Sequence, residues 1–174
     1  MCVLLLQDAK SSYLRKFEAE VARDFGKEDA VFMPSGIMAQ NIALLIHSKR
    51  EEDKDRGFHE PRSFACHHSS HLMLWEQESY SKLVGMRPLV VDTTTTTAEN
   101  GIHVPPMRLS DVESMLINED NKPSCLLVEL PHRELGGKLT PWEDIIGIGQ
   151  FCQKYGIKYH CDGARIFEAS AGYG

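Results

Sequence analysis

Asp162 and Arg165, inside the stretch His160-Cys161-Asp162-Gly163-Ala164-Arg165, put one negative and one positive charge on a single turn. The run before them, residues 156 to 161, reads as a short buried strand, so Asp162 falls at its carboxyl end. In an open α/β sheet, ligands bind beyond the carboxyl ends of the strands. A carboxylate there, close to a guanidinium, can hold a ligand that is cationic at one point and anionic at another. A cofactor with a protonated ring nitrogen and a substrate carboxylate fits that description. The same residues also suit a strand-end cap with a surface ion-pair partner.

Other residues could add to this chemistry. Pro34-Ser35-Gly36-Ile37-Met38 reads as a tight turn opening a helix. Such a turn presents free N–H groups and the positive end of the helix dipole to an anion, with Ser35 adding a hydroxyl. Ser35 as a plain helix cap is the alternative. His67, His68 and His71 form an HHxxH pattern. It lacks the further ligands of a metal site, so no metal is expected. His71 alone, after two serines at a helix start, can instead present a flat ring to a flat ligand. His132 follows a strand by two residues, on the same sheet edge as Asp162. A histidine there can act as a general base, since its ordinary pKa lies near working pH. Glu129, at the end of that strand, can bond a ligand or orient His132.

The elements that must position these groups follow from periodicity. Helices are expected over residues 11–25, 37–47, 67–80, from Ser110 (a capping-box pattern with Glu113), and 141–155. Strands are expected over 29–33, 61–66, 86–92, 125–130 and 157–161. Residues 48–60 read as a charged, solvated linker, and the threonine run 93–97 with Glu99-Asn100-Gly101 as a loop. Alternating strands and helices imply an α/β fold of three layers, with a mostly parallel sheet covered on both faces. No internal boundary stands out, so residues 1–174 read as one domain.

Composition sets limits. With 42% hydrophobic and 25% charged residues, the chain has a globular profile. A net charge of -6 argues against a nucleic-acid partner. The five cysteines are odd in number and form no CxxC pair. They are expected to be buried, reduced thiols in a cytoplasmic protein. The apolar opening, Cys2 to Leu6, is too short for a signal-peptide core, and no stretch is long enough to cross a bilayer.

Four segments together resemble a known family: FMPSGIMAQNIAL at 32–44, SSHLMLWE at 69–76, VELPHRELGG at 128–137 and GIKYHCDGARIFEA at 156–169. They are similar to successive motifs of the threonine aldolase and aromatic amino acid β-eliminating lyase family. These enzymes depend on pyridoxal 5'-phosphate and share the aspartate-aminotransferase-type fold. The resemblance implies that Asp162 pairs with the pyridine nitrogen, that Ser35, Gly36 and Ile37 hold the phosphate, and that His71 stacks on the ring. Glu129 would lie at the cofactor, Arg165 would bind the amino acid carboxylate, and His132 would take the proton of the substrate β-hydroxyl. The implied reaction cleaves a β-hydroxy amino acid to glycine and an aldehyde, in a homo-oligomer. Departures from the family pattern are Pro131-His132-Arg133, where Thr-His-Asn is usual, and Ile37, where Thr is usual. The family's Schiff-base lysine lies some tens of residues after the aspartate, whereas the last lysine here is Lys158. The chain therefore reads as a partial large domain, inactive alone. Another amino acid β-eliminating lyase and a non-catalytic dimerisation or cofactor-holding module remain alternatives, with an HHxxH metal hydrolase the least favoured.

Overall fold

The computed structural model describes residues 13–49, 62–93, 96–98, 101–115 and 122–174. They fall into two compact units, residues 1–38 and 39–174.

In the first unit, helix α1 (Tyr13–Asp24) ends where Gly26, at φ +59, turns the chain and donates its N–H to Arg23 O. The strand expected at 29–33 is not formed. The Phe32 N–H donates instead to Glu18 Oε1 (2.8 Å), so a side chain takes the place of a ladder partner. That bond, with the Arg15 guanidinium, holds the Glu18 carboxyl below its ordinary range. Helix α2 (Gly36–Ser48) starts in this unit and runs into the next.

The second unit contains a four-stranded parallel sheet in the order β2-β1-β5-β6. The strands are β1 (Ser63–His67), β2 (Arg87–Val91), β5 (Cys125–Glu129) and β6 (Lys158–Asp162). Parallel neighbours need crossovers. Between the strands run α3 (His71–Leu74), α4 (Ser79–Lys82), α5 (Leu109–Met115) and α6 (Trp142–Tyr155), and α7 (Ile166–Tyr173) closes the chain. A small antiparallel hairpin, β3 (Thr96–Ala98) with β4 (Gly101–His103), stands apart from the sheet.

Strand alternation divides the core in two. Phe64, Cys66, Cys125 and Leu127 point to one face, against Leu44 of α2, Leu72 of α3 and Tyr80 of α4. Ala65, Leu126 and Val128 point to the other, against Val112 of α5 and Ile148 and Cys152 of α6. The expected three-layer α/β arrangement is therefore the observed one. Each fully buried Leu or Phe contributes about 1.5–3 kcal/mol of hydrophobic stabilisation. Gly156, at φ +63, ends α6 and lets β6 begin two residues later.

Several local expectations need correction. Residues 67–80 form two single turns rather than one helix, because Gln77 and Glu78 take left-handed backbone at φ 51 and 59. Part of the loop expected at 93–101 is β3, in which Thr96 and Thr97 pair with His103 and Ile102. Helix α5 starts at Leu109, one residue before Ser110. Its first N–H groups go to Asp111 Oδ2, from Arg108, and to Asp144 Oδ1, from Leu109, so carboxylates replace the expected serine cap. Cys66, Cys125 and Cys152 are buried free thiols, but Cys161 is exposed on the outermost strand. Burial pushes the Cys66 and Cys125 thiols up to about 12. Among the described residues no helix is long and apolar enough to cross a membrane. The opening run at Cys2, the caps at Ser11 and Ser12, and most of the 48–60 linker lie outside the described residues.

Candidate active site

The strand order locates a crevice. From β1 the chain moves outward to β2, then returns to place β5 and β6 on the other side of β1. The carboxyl ends of β1 and β5 therefore flank a topological switch point, where α/β sheets bind ligands. The segments that leave these ends carry His67, Ser69 and His71 after β1, and Glu129 and His132 after β5. Asp162 is beside them, in register with Glu129.

Alternation along β6 puts His160 and Asp162 on the face covered by α2, because their register partners Leu127 and Glu129 share that face. Helix α2 supplies Gln40, Leu44 and His47, spaced at four and three residues and so on one side of the helix. The Gln40 amide donates from Nε2 to Asp162 Oδ2 (2.6 Å), and the Ala164 N–H donates to Asp162 Oδ1 (3.2 Å). Both donors are neutral, so they orient the carboxylate without cancelling its charge. Gly163 keeps the turn tight: a Cβ there would lie 3.2 Å from Ile166 Cβ. Arg165 follows as the N-cap residue of α7, half-buried, and its guanidinium makes no ion pair among the described residues.

Glu129 is buried and commits both oxygens to backbone: Oε2 accepts from the His71 N–H (2.9 Å) and Oε1 from the Arg133 N–H (3.0 Å). It thus ties the segment after β1 to the segment after β5. The His71 ring is held by its own carboxylate, with Nδ1 3.2 Å from Glu76 Oε1. Burial, together with the nearby charge of Asp162 and against the pull of His71, raises Glu76 above its ordinary range. That repulsion puts the His71–Glu76 pair and Asp162 in one electrostatic neighbourhood.

His132 is buried, with Nε2 3.1 Å from Ser69 Oγ and 3.2 Å from Ser69 O. The Ser69 N–H donates to His67 Nδ1 (3.1 Å), so the His67 proton sits on Nε2, which donates to Pro105 O (3.2 Å). The rings of His67 and His132 meet edge to face, centroids 4.7 Å apart. Burial lowers His67 to about 4, helped by the neighbouring His132 and His68. Burial also lowers His132, opposed chiefly by the charge of Glu129. A cavity of about 10 Å³, large enough for roughly one water, is lined by His67, Ser70, Glu129, His132 and Thr140, among others. The HHxxH pattern does not converge: among the described residues no three His, Cys, Asp or Glu groups could hold a metal.

In the first unit, Ser35 Oγ accepts the Met38 N–H (3.2 Å) and caps α2. Ser35, Gly36 and Ile37 are exposed, and a Cβ added at Gly36 would meet nothing within 4 Å.

Gln40, His47, His160 and Glu76 do not stand out in the sequence as site residues. The available signal was the polar-apolar-polar stripe Gln40-Leu44-His47 on α2, matched by the alternation of His160 with Asp162.

Comparison with known proteins identifies the family. The chain is 30% identical over 165 residues to low-specificity L-threonine aldolase 1 of Arabidopsis thaliana, covering 92% of this chain and 41% of that protein. It is 29% identical over 171 residues to the low specificity L-threonine aldolase of Escherichia coli K12, covering 96% of this chain and 44% of that protein. A solved candidate L-allo-threonine aldolase from Listeria monocytogenes EGD-E superposes with a TM-score of 0.75 at 36% identity, over 92% of this chain and 39% of that one. The chain thus spans about two fifths of the length of these relatives. The family model for beta-eliminating lyases matches residues 7–174, which takes in every candidate residue above, and the chain belongs to that family.

Proposed function

We propose that this chain binds pyridoxal 5'-phosphate and carries the cofactor-facing residues of a threonine-aldolase-type carbon–carbon lyase. The observation that carries this reading is the Asp162 carboxylate, oriented at a sheet edge by two neutral donors, with a guanidinium three residues on that makes no ion pair among the described residues. A carboxylate bonded by Lys or Arg would be a poor partner for a cationic ring nitrogen; this one keeps its charge for it. The donor set therefore fits the cofactor. When bound, the cofactor supplies an electron sink for the pair released at the substrate Cα.

The chain's own groups have distinct roles in this reading. Asp162 keeps a proton on the pyridine nitrogen. His71, fixed by Glu76, would hold the cofactor ring, and Glu129 holds His71 and the 132–133 segment in place through their backbones. Arg165 takes the substrate carboxylate by paired N–H bonds. His132, kept neutral by burial, accepts the β-hydroxyl proton as the Cα–Cβ bond opens to glycine and an aldehyde. Ser35, Gly36 and Ile37 are proposed for the phosphate, at the amino end of a helix of 13 residues.

Equilibrium dialysis and cofactor absorbance test this directly. A charge-assisted bond contributes about 1.5–3 kcal/mol, so Asp162→Ala should weaken pyridoxal phosphate binding about 10- to 100-fold. Arg165→Leu should leave cofactor binding intact and abolish the absorbance change on adding threonine. Equal cofactor affinity in the parent chain and Asp162→Ala rejects the assignment.

A further inference from the structure

Behind Asp162 runs a line of side chains whose donors and acceptors can be ordered from one end. The carboxylate can only accept, so Gln40 must turn its Nε2 to Asp162 Oδ2, at 2.6 Å. The other end of that amide, Oε1, then faces His160 Nε2 at 2.8 Å. An amide oxygen can only accept, so the His160 proton sits on Nε2 and its Nδ1 carries a lone pair. That lone pair faces His47 Nε2 at 3.4 Å, with the two rings edge to face at 5.3 Å, so His47 is the donor. One ionised group thereby sets the orientation of an amide and the tautomers of two histidines.

We propose that Gln40, His160 and His47 are positioning residues that lock the Asp162 carboxylate in the rotamer needed by the ring nitrogen, through a hydrogen-bond line of fixed direction. The proposal rests on the reading of Asp162 as the cofactor's partner. The anchors lie on two elements that the core already holds together. Gln40 and His47 flank the fully buried Leu44 on α2, and His160 and Asp162 share one face of β6. Gln40 is itself buried, at 8% exposure, so water does not compete freely for its amide. The arrangement does what a cation at Asp162 could not: it removes the carboxylate's rotational freedom and leaves its charge available to the ligand. Burial lowers both histidines, His47 with help from the charge of Lys158, so both rings remain neutral and the direction of the line holds. Asp162 acts the other way on His160, and the carboxyls near Asp162 are Glu76 and its register partner Glu129.

The test uses the 174-residue chain, with 15N NMR of the histidine rings and pyridoxal 5'-phosphate as the probe. In the parent chain His160 should show a protonated Nε2 and an unprotonated Nδ1. Gln40→Met keeps the side-chain length and removes both bonds. It should relax the His160 tautomer towards a mixture and, with a net hydrogen bond near 1 kcal/mol, weaken cofactor binding about fivefold. His47→Leu, farther from the ligand, should shift the His160 Nδ1 resonance and weaken cofactor binding by less than Gln40→Met does, which guards against a Gln40 variant that fails to fold. An unchanged His160 tautomer in Gln40→Met, or unchanged cofactor affinity beside a changed tautomer, overturns the positioning role. If the parent chain shows the predicted tautomers but binds no pyridoxal phosphate, the cofactor reading fails and the role at the ring nitrogen falls with it.

Discussion

Glu129 shows how much one side chain can organise. Its two oxygens accept N–H groups from residues 58 positions before it and 4 after it, closing the segments that leave β1 and β5 onto each other. Glu129→Gln keeps one acceptor and turns an amide N–H towards a backbone N–H, leaving a buried donor unpaired. The expected cost is about 1–3 kcal/mol, read as a lower urea midpoint at unchanged slope. A midpoint equal to the parent's would mean that the two segments are held by other contacts. At this scale the sequence was informative wherever a residue's role followed from its place on a strand. Asp162 and Glu129 could be placed because period-two alternation and a following turn mark a carboxyl end. Gln40 could not, because an amide on a helix face has no assigned partner until the fold brings Asp162 to it, 122 residues away.

Among the elements, α2 and α6 cover opposite faces of the same sheet, and of the two it is α2 that hydrogen-bonds Asp162, through Gln40. That asymmetry separates stability from function. Leu44 on α2 and Ile148 on α6 are both fully buried, so Leu44→Ala and Ile148→Ala should each cost about 2–5 kcal/mol. Only Leu44→Ala should also weaken pyridoxal phosphate binding, because it loosens the helix that carries Gln40 and His47. Equal cofactor affinities in the two variants, measured well below their melting temperatures, would show that α2 does not set the site. The sheet and its long helices were legible in the sequence for the same reason that they are stable: each repeats its period for several residues. The failures were short. Residues 29–33 have the apolar composition of a strand, yet composition cannot show that Glu18 will take the Phe32 N–H first. Residues 67–80 hold helix formers, but the fold back of Glu76 to His71 goes with the left-handed backbone at Gln77 and Glu78.

For the molecule as a whole, histidine burial sets the response to acid. His47, His67, His132 and His160 are all lowered, in each case chiefly by burial. A base lowered in the folded state binds fewer protons there than in the unfolded chain. Its contribution is therefore complete above the ordinary value of 6.5 and is lost as pH falls below it. For His67 the loss continues to about 4, at up to about 1.4 kcal/mol per pH unit. Glu76, a raised carboxyl, works in the opposite sense: acid relieves the cost of its buried charge. Among the described residues, four lowered histidines and the lowered Glu18 stand against one raised carboxyl, so destabilisation is the net result. The melting temperature should therefore fall steadily from pH 7 to pH 5, well above the range where ordinary carboxylates protonate. His67→Gln should flatten that slope, since a neutral amide in the same pocket has no proton to gain. A melting temperature that holds or rises over this interval would show that the buried rings take up protons as readily in the folded chain as in the unfolded one, and the hydrogen-bond directions assigned around His67 and His132 would then be wrong.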